Sequence, residues 1–144
     1  MILISHRGNI DGRLENWENE PTYISLAISK GYIVEIDVWY KNRTFWLGHD
    51  KPDYGISQST LDGWGENIWI HAKNLEAFKI LSEQRYHVFY HTTEPVVITS
   101  YGYSWYYTGL DSSGGICVLP ELHDFNVPTG SVGICSDYIE KFKK

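Results

Sequence analysis

The stretch IVEIDVWYKNRTFWLGHD, residues 33–50, decides how this chain folds. It holds two strand-like runs, 33–39 and 44–49, that are rich in β-branched and aromatic residues. Only four residues separate the runs, whereas a parallel crossover needs about a dozen. We therefore predict an antiparallel hairpin, which carries the GHD at its end back beside the two carboxylates of VEID.

Those two carboxylates, Glu35 and Asp37, are two residues apart, so on a strand they point to the same face. Val34, Ile36 and Val38 take the opposite face, which is apolar enough to lie under helices. Adjacent carboxylates repel each other and are costly to bury unpaired. The alternative is an amphipathic edge strand with a solvated face. The apolar flanks and the nearby His-Asp favour a divalent cation, Mg²⁺ or Ca²⁺.

Similar strand-like runs recur along the whole chain. Two further segments have helical features: residues 21–30, which begin with Pro21, and residues 74–84. Strand, helix, strand occurs twice, which predicts a parallel α/β sheet in one domain, residues 1–144. The eight predicted strands are residues 2–6, 33–39, 44–49, 67–72, 87–91, 96–99, 115–120 and 132–136.

Ionisable residues stand at the ends of most of these runs. They include His6, His49, His71, His91, Glu121 and Asp137. The last three are weaker candidates, for which a structural role is at least as expected as a functional one. A (β/α) barrel builds its active site from the carboxyl ends of successive strands. A full barrel takes about 250 residues, and this chain has 144. We therefore expect a compact, reduced (β/α)8 TIM-type barrel with several helices missing.

The composition bounds the class of partner. The net charge is −6, so nucleic-acid binding, which needs a basic face, is not expected. No apolar run approaches the roughly 20 residues that span a bilayer, and no signal peptide is evident, so we expect a cytoplasmic protein without a transmembrane segment. Cys117 and Cys135 lie in apolar runs without metal-ligand spacing. They are expected in the core, with a disulfide left open.

Two histidines are candidates for acid–base chemistry. His6 and His49 end strand-like runs near the carboxylate pair, and histidine titrates near neutral pH; hydrogen-bonded structural roles are the alternative. In WIHAK, residues 69–73, His71 and Lys73 share one face. His71 is a candidate third metal ligand. Lys73 is a candidate phosphate-binding cation, unless it only begins a helix in solvent.

Five short elements stand in order near the start of the chain. They are His6-Arg7-Gly8, Glu18-Asn19, Gly31, Glu35-Ile36-Asp37 and His49-Asp50. In this order they resemble the glycerophosphodiester phosphodiesterase family, within the wider group of phospholipase-C-like phosphodiesterases. The match covers residues 3–50, about a third of the chain.

The resemblance implies a (β/α)-barrel phosphodiesterase with a divalent cation, usually Mg²⁺ or Ca²⁺. It implies Glu35 and Asp37 as metal ligands, His6 and His49 as general acid and base, and Arg7 as a phosphate ligand.

The chain departs from the family at two places. The family has a third carboxylate ligand on a later strand, where this chain has His71 followed by the matching Lys73. Two carboxylates and one histidine lean toward Mn²⁺. The insertion that covers the glycerol end of the substrate shrinks to residues 51–66, which leaves room for a small, unusual substrate.

Together these features predict a metal-dependent phosphodiesterase that acts on a small phosphodiester, with hydrolysis by water or through a cyclic phosphate left open. Two alternatives remain. One is a catalytically inactive barrel that binds a phosphorylated ligand or a partner. The other is an aromatic-rich, mostly antiparallel β domain that binds sugar, in which His6, His49 and Glu35 do not converge. The stretch YGYSWYY, residues 101–107, either lines a substrate mouth or packs as a lid or core.

Overall fold

The structure is a computed structural model that describes residues 1–144. Its strands are β1 (Ile2–His6), β2 (Ile33–Lys41), β3 (Thr44–Leu47), β4 (Tyr54–Ile56), β5 (Ile68–Ala72), β6 (Val88–Tyr90), β7 (Val96–Ile98), β8 (Ser104–Tyr106), β9 (Ile116–Val118) and β10 (Gly133–Ser136). Its α-helices are α1 (Pro21–Ser29), α2 (Gln58–Trp64) and α3 (Leu75–Glu83), and short 3₁₀ helices span Glu15–Trp17, Gly65–Asn67, Pro120–His123 and Ile139–Phe142. None of the helices has the length and apolar character that crossing a bilayer requires.

The eight predicted strands and both predicted helices are present, with ends that differ by no more than two residues. Three elements, β4, β8 and α2, were not predicted. β4 and β8 have three residues each, too few for an alternating pattern to appear. α2 has seven residues and is fixed at its start by Ser57, whose hydroxyl accepts a hydrogen bond from the backbone N–H of Thr60 at 3.2 Å.

β2 lies at the centre of a mixed sheet. β1 pairs in parallel with its first half, β3 pairs antiparallel with its second half, and β5 runs parallel along its other edge. The series continues in parallel through β10, β9 and β8 on one side and through β6 on the other. The hairpin predicted from residues 33–50 is therefore confirmed. Its turn residues, Asn42 and Arg43, have φ of +52° and +59°, as a tight two-residue hairpin requires.

The predicted (β/α)8 TIM-type barrel is wrong. The ten strands form a mixed sheet that curls into a half-barrel, and only three α-helices cover it. No strand ladder joins β6 to β7, although the backbone N–H of Ser100 donates to the carbonyl of Val88 at 2.9 Å. The physical reason is the length of the connections. Those after β2 and β7 are too short to hold a helix, so the chain reverses into antiparallel pairs.

Two hydrophobic clusters lie on the two faces of the sheet. The larger one packs β2 and β5 against the helices and includes Val34, Ile36 and Val38, as predicted for the apolar face of VEIDV. The smaller one fills the inner, concave face with Ile4, Trp69, Phe89, Trp105, Ile116 and Cys135. Both cysteines are buried and free, which confirms their expected place in the core. The polar face of β2 therefore opens onto the concave side.

Candidate active site

Neighbouring parallel strands bring the candidate side chains to one end of the sheet. In the strand register, His6 on β1 is the partner of Glu35 on β2, and Asp37 on β2 is the partner of His71 on β5. Residues paired across a sheet share a face, so all four point to the concave side. β10 pairs with β1 in parallel and ends just before Asp137, which places this carboxylate beside His6.

Glu35 and Asp37 are almost completely buried, with 3 % and 0 % exposure. Asn19 satisfies one side of Asp37: its amide donates to Oδ2 at 2.9 Å, and its carbonyl accepts from the Asp37 backbone N–H at 2.9 Å. Glu35 Oε2 has no hydrogen-bond partner, and Asp37 Oδ1 has only the His71 Nδ1 atom within hydrogen-bond distance, at 3.1 Å. Buried carboxylate oxygens without donors are costly, so these two atoms fit a site that receives a cation.

The His71 ring is oriented from its far side. Its Nε2 donates to the backbone carbonyl of His91 at 3.1 Å, and its plane stacks on Phe89 with centroids 5.1 Å apart. Nδ1 therefore faces the carboxylates, at 3.1 Å from Asp37 Oδ1 and 4.0 Å from Glu35 Oε1. Ligand atoms of these three residues lie within 4.8 Å of one another. Metal-ligating histidines are held in this way, with the second nitrogen on a carbonyl.

The two carboxyl groups differ in how readily they ionise. Burial would raise the pKa of Asp37, but His71, Arg7 and Lys73 outweigh it and hold that pKa well below its usual range. Burial and the charge of Asp37 raise the pKa of Glu35 above its usual value. Neighbouring carboxyl groups that share a buried site behave in this way. A cation bound between them would favour the ionised form of Glu35.

His6 is held in place by Asp137. Its Nδ1 lies 2.7 Å from Asp137 Oδ1, and the side-chain amide of Asn9 donates to the same oxygen at 2.8 Å. Burial would lower the pKa of His6, but the hydrogen bond to Asp137 and the charge of Glu35 outweigh it, so the pKa is raised. Glu121 in turn fixes Asp137 by accepting a hydrogen bond from its backbone N–H at 2.7 Å. The imidazole is therefore locked in orientation with Nε2 turned toward Glu35, 3.9 Å from its Oε2.

Arg7 lies in the turn that follows β1, with a left-handed φ of +56°. This turn directs its guanidinium over the carboxylates: Nη1 donates to Glu18 at 3.2 Å, and Nε lies 3.1 Å from Asp37 Oδ2. The next residue, Gly8, has φ of +95°, and a Cβ there would lie 2.7 Å from the Tyr23 ring. Only glycine fits both constraints, which explains the third letter of His-Arg-Gly.

A cavity of about 270 Å³ opens above the carboxylates. Its polar wall is formed by His6, Arg7, Glu35, His49, His71 and His91. Its opposite wall is aromatic and aliphatic, and part of the YGYSWYY stretch lies in it. A larger cavity of about 670 Å³ lies elsewhere, between Trp69, His87 and Tyr101, and holds none of the predicted site residues. Chemistry, rather than size, identifies the smaller cavity as the candidate site.

Lys73 and His49 lie at the margin of the site. Lys73 Nζ is 3.9 Å from Asp37 Oδ1 and does not line the smaller cavity, so its role toward phosphate stays a prediction. His49 lies in the loop after β3, with a 42 % exposed side chain and a hydrogen bond of 2.9 Å to Asp50. Burial and the charge of Arg7 lower the pKa of His49.

The structure therefore brings His6, Arg7, Glu35, His49 and His71 to one cavity, with Asp37 buried beside them. The site is supported by four further residues, Asn9, Asn19, Glu121 and Asp137. Asn9 had no predicted role, and Asp137 had only a weak, structural one. The position of Asp137 after a strand was a usable signal. Asn9 had none, because the carboxylate that it shares with His6 lies 128 residues away.

Comparison of the chain with protein-family models, with curated proteins and with solved structures finds no match in any of the three. A function for this protein therefore has to be inferred from the geometry and chemistry of its site.

Proposed function

We propose that this protein is a metal-dependent phosphodiesterase that cleaves a glycerophosphodiester-like substrate, with two histidines as general acid and base. The observation that carries the proposal is the meeting of His6, Arg7, His49, Glu35 and His71 on one cavity of about 270 Å³. Cations and proton-transfer groups beside a buried carboxylate pair are the parts that phosphodiester cleavage needs.

Glu35, Asp37 and His71 would hold the divalent cation, because two of their buried oxygens lack partners and their ligand atoms lie within 4.8 Å of one another. When bound, such a cation neutralises the phosphodiester and stabilises the charge that develops on its oxygens. Mg²⁺ and Ca²⁺ suit the two carboxylates, and the histidine nitrogen adds affinity for Mn²⁺.

The chain's own residues would bind the anion and move the protons. Arg7 would donate hydrogen bonds from its guanidinium to the non-bridging oxygens of the phosphate. Lys73, beside Asp37, adds positive charge. One of His6 and His49 removes the proton of the attacking water or substrate hydroxyl, and the other protonates the leaving alcohol. If a substrate hydroxyl attacks, a cyclic phosphate forms first. Asp137 holds His6 through Nδ1, so its Nε2 is the atom available to exchange a proton.

The first test measures hydrolysis of the methyl ester of glycerol phosphate with Mg²⁺, Ca²⁺ or Mn²⁺. We expect His6→Ala to lower kcat/KM by about 10²–10⁴-fold, the usual contribution of a general acid or base. His87→Ala is the matched control, since His87 is also buried but lies at the larger cavity; it should stay within about threefold of wild type if folded. Equal rates for wild type and His6→Ala would contradict the proposal.

A second candidate function, an inactive module that binds a phosphorylated ligand, is favoured by one observation. Arg7 Nε and Lys73 Nζ lie 3.1 and 3.9 Å from the Asp37 carboxylate, so this carboxylate already has counter-charges without a metal. Such a cluster can recognise an anion with no cation present.

Thermal unfolding with and without Mn²⁺ separates the two candidates. A ligand at ten times its Kd adds about 1.4 kcal/mol to the free energy of unfolding, so we expect Mn²⁺ to raise the wild-type Tm by about 4 °C. Glu35→Gln should remove that increase. No effect of Mn²⁺, Mg²⁺ or Ca²⁺ on wild type, with Glu35→Gln equally stable, would favour the binding module.

A further inference from the structure

The cavity has two chemically different halves. Beside the histidines, part of its wall is built from Phe89, Trp105, Val118, Leu119 and Leu122, and the hydroxyl groups of Tyr106, Tyr107 and Thr108 lie among them. Leu122 and Tyr107 remain 63 % and 55 % exposed at the mouth. Apart from these three hydroxyl groups, the polar groups of a substrate would find few side-chain hydrogen-bond partners on this wall.

The apolar wall is held in a fixed shape. Leu119 has a left-handed φ of +48°, a conformation that is unfavourable for a residue with a Cβ. Both backbone polar groups of Leu119 are hydrogen-bonded. Its N–H donates to the carbonyl of Cys135 at 2.8 Å, and its carbonyl accepts from Thr108 Oγ1 at 3.2 Å. Strain kept in this way is often found at functional sites.

The same segment also supports the catalytic half. The 3₁₀ helix Pro120–His123 follows Leu119 and places Leu122 at the mouth. Its Glu121 accepts hydrogen bonds from Ser136 Oγ at 2.8 Å and from the backbone N–H of Asp137 at 2.7 Å. The apolar wall and the partner of His6 are therefore parts of one unit.

From this arrangement we infer that the substrate is a phosphodiester in which one ester group is apolar, an alkyl or acyl-bearing group that lies against the wall formed by Trp105, Tyr107, Val118, Leu119 and Leu122. The inference rests on the proposed function and names its substrate class. The charged half of the cavity takes the phosphate, and the apolar half takes the hydrocarbon. A hydrocarbon there gains by leaving water, whereas a second polyol does not.

The test is a series of glycerol phosphate n-alkyl esters, from methyl to hexyl, all assayed with Mn²⁺ and with Mg²⁺. Full burial of a methylene contributes about 0.8 kcal/mol, or about fourfold in kcat/KM, and half burial about twofold. Because the wall is open to solvent on one side, we expect the hexyl ester to exceed the methyl ester by at least about 30-fold.

Two variants locate the effect. The double variant Leu122→Ser and Tyr107→Ser should lower the hexyl-to-methyl ratio at least about fivefold. Leu75→Ser is the matched control, because Leu75 is 56 % exposed on α3 and does not line the cavity; it should leave the ratio unchanged.

The possible failures are distinct. Measurable hydrolysis of the methyl ester with a hexyl-to-methyl ratio near one overturns this inference and leaves the proposed function standing. A high ratio that survives in the double variant also overturns it, because the hydrocarbon then lies elsewhere. Hydrolysis of no ester with either metal overturns the proposed function, and the substrate class with it.

Discussion

The two ends of the curled sheet each carry a histidine stacked on an aromatic ring, half-buried at His71 and buried at His87. At the candidate site, His71 stacks on Phe89 with an interplanar angle of 7°. At the larger cavity, His87 stacks on Tyr101 with an angle of 9° and centroids 4.4 Å apart. The rings are placed alike, but their neighbours differ. His71 faces two buried carboxylates, whereas His87 Nε2 meets only the hydroxyl of Thr99, at 2.7 Å.

This difference shows that the surroundings of a histidine, rather than its burial or stacking, decide its chemical role. Burial alone lowers the pKa of His87 to about 4, so this ring is neutral at pH 7 and acts as a packing element. The His71 ring instead turns its Nδ1 toward Asp37 Oδ1, 3.1 Å away, and toward Glu35 Oε1, 4.0 Å away.

The largest effect that would test this contrast comes from removing the charge of Asp37. Asp37→Asn leaves Arg7 and Lys73 without their shared counter-charge. Removing one partner of a buried charge pair costs about 3–5 kcal/mol. We expect a loss of this size, about 3–5 kcal/mol, in the free energy of unfolding measured with urea. Asp62→Asn, on the exposed rim of the larger cavity, should cost no more than about 1 kcal/mol. Equal losses for the two variants would remove the distinction between the two ends.

A smaller effect is expected from the groups that hold the two histidines. Asp137 and Thr99 each lie 2.7 Å from a ring nitrogen, of His6 and His87 respectively. Asp137→Asn should lower kcat by about 10²-fold, equivalent to about 2.7 kcal/mol, because it no longer orients the general acid or base. Thr99→Val should leave kcat within about twofold. A folded Asp137→Asn variant with wild-type kcat would show that His6 needs no such partner.

The smallest effect is a dependence of stability on pH that arises from His87. Its pKa is lowered from 6.5 to about 4 in the folded chain, so between these values the unfolded chain binds the extra proton. Stability from this group is present above pH 6.5 and is lost as the pH falls toward 4. We expect a loss of about 1–2 kcal/mol after allowance for solvent screening.

His87→Phe provides the check on that pH effect, since phenylalanine keeps the stacking with Tyr101 and cannot take up a proton. The difference in the free energy of unfolding between pH 7 and pH 4.5 should be smaller in this variant than in wild type. An identical pH dependence in both proteins would assign the effect to other groups.

Much of the local structure could be predicted from the sequence, because local patterns carry it. The four-residue gap between the runs 33–39 and 44–49 predicted the hairpin, and the spacing of Glu35 and Asp37 predicted their common face; the structure has both. Local patterns could not show whether the strands close into a barrel. Polar strand ends are compatible with any parallel arrangement, and nothing in the sequence shows that β6 and β7 do not pair with each other.

A residue of the candidate site could be predicted when the residues next to it in the sequence indicate its role. Arg7 and His6 stand in a recognisable tripeptide, whereas the orientation of His71 depends on a carbonyl of His91 that any residue could supply. Likewise, the apolar wall depends on a left-handed Leu119, a conformation that leucine itself does not favour. Contacts made by backbone groups or by residues distant in sequence cannot be predicted from a short sequence motif.

The contact between His6 and Asp137 also has a consequence for how the chain matures. The two residues are 131 positions apart, and synthesis at about 5–20 residues per second separates their appearance by on the order of ten seconds. During that interval β1 has no β10 beside it, and the carboxylates of β2 meet an unanchored imidazole. His6 can therefore take up its observed orientation only after Asp137 has been synthesised.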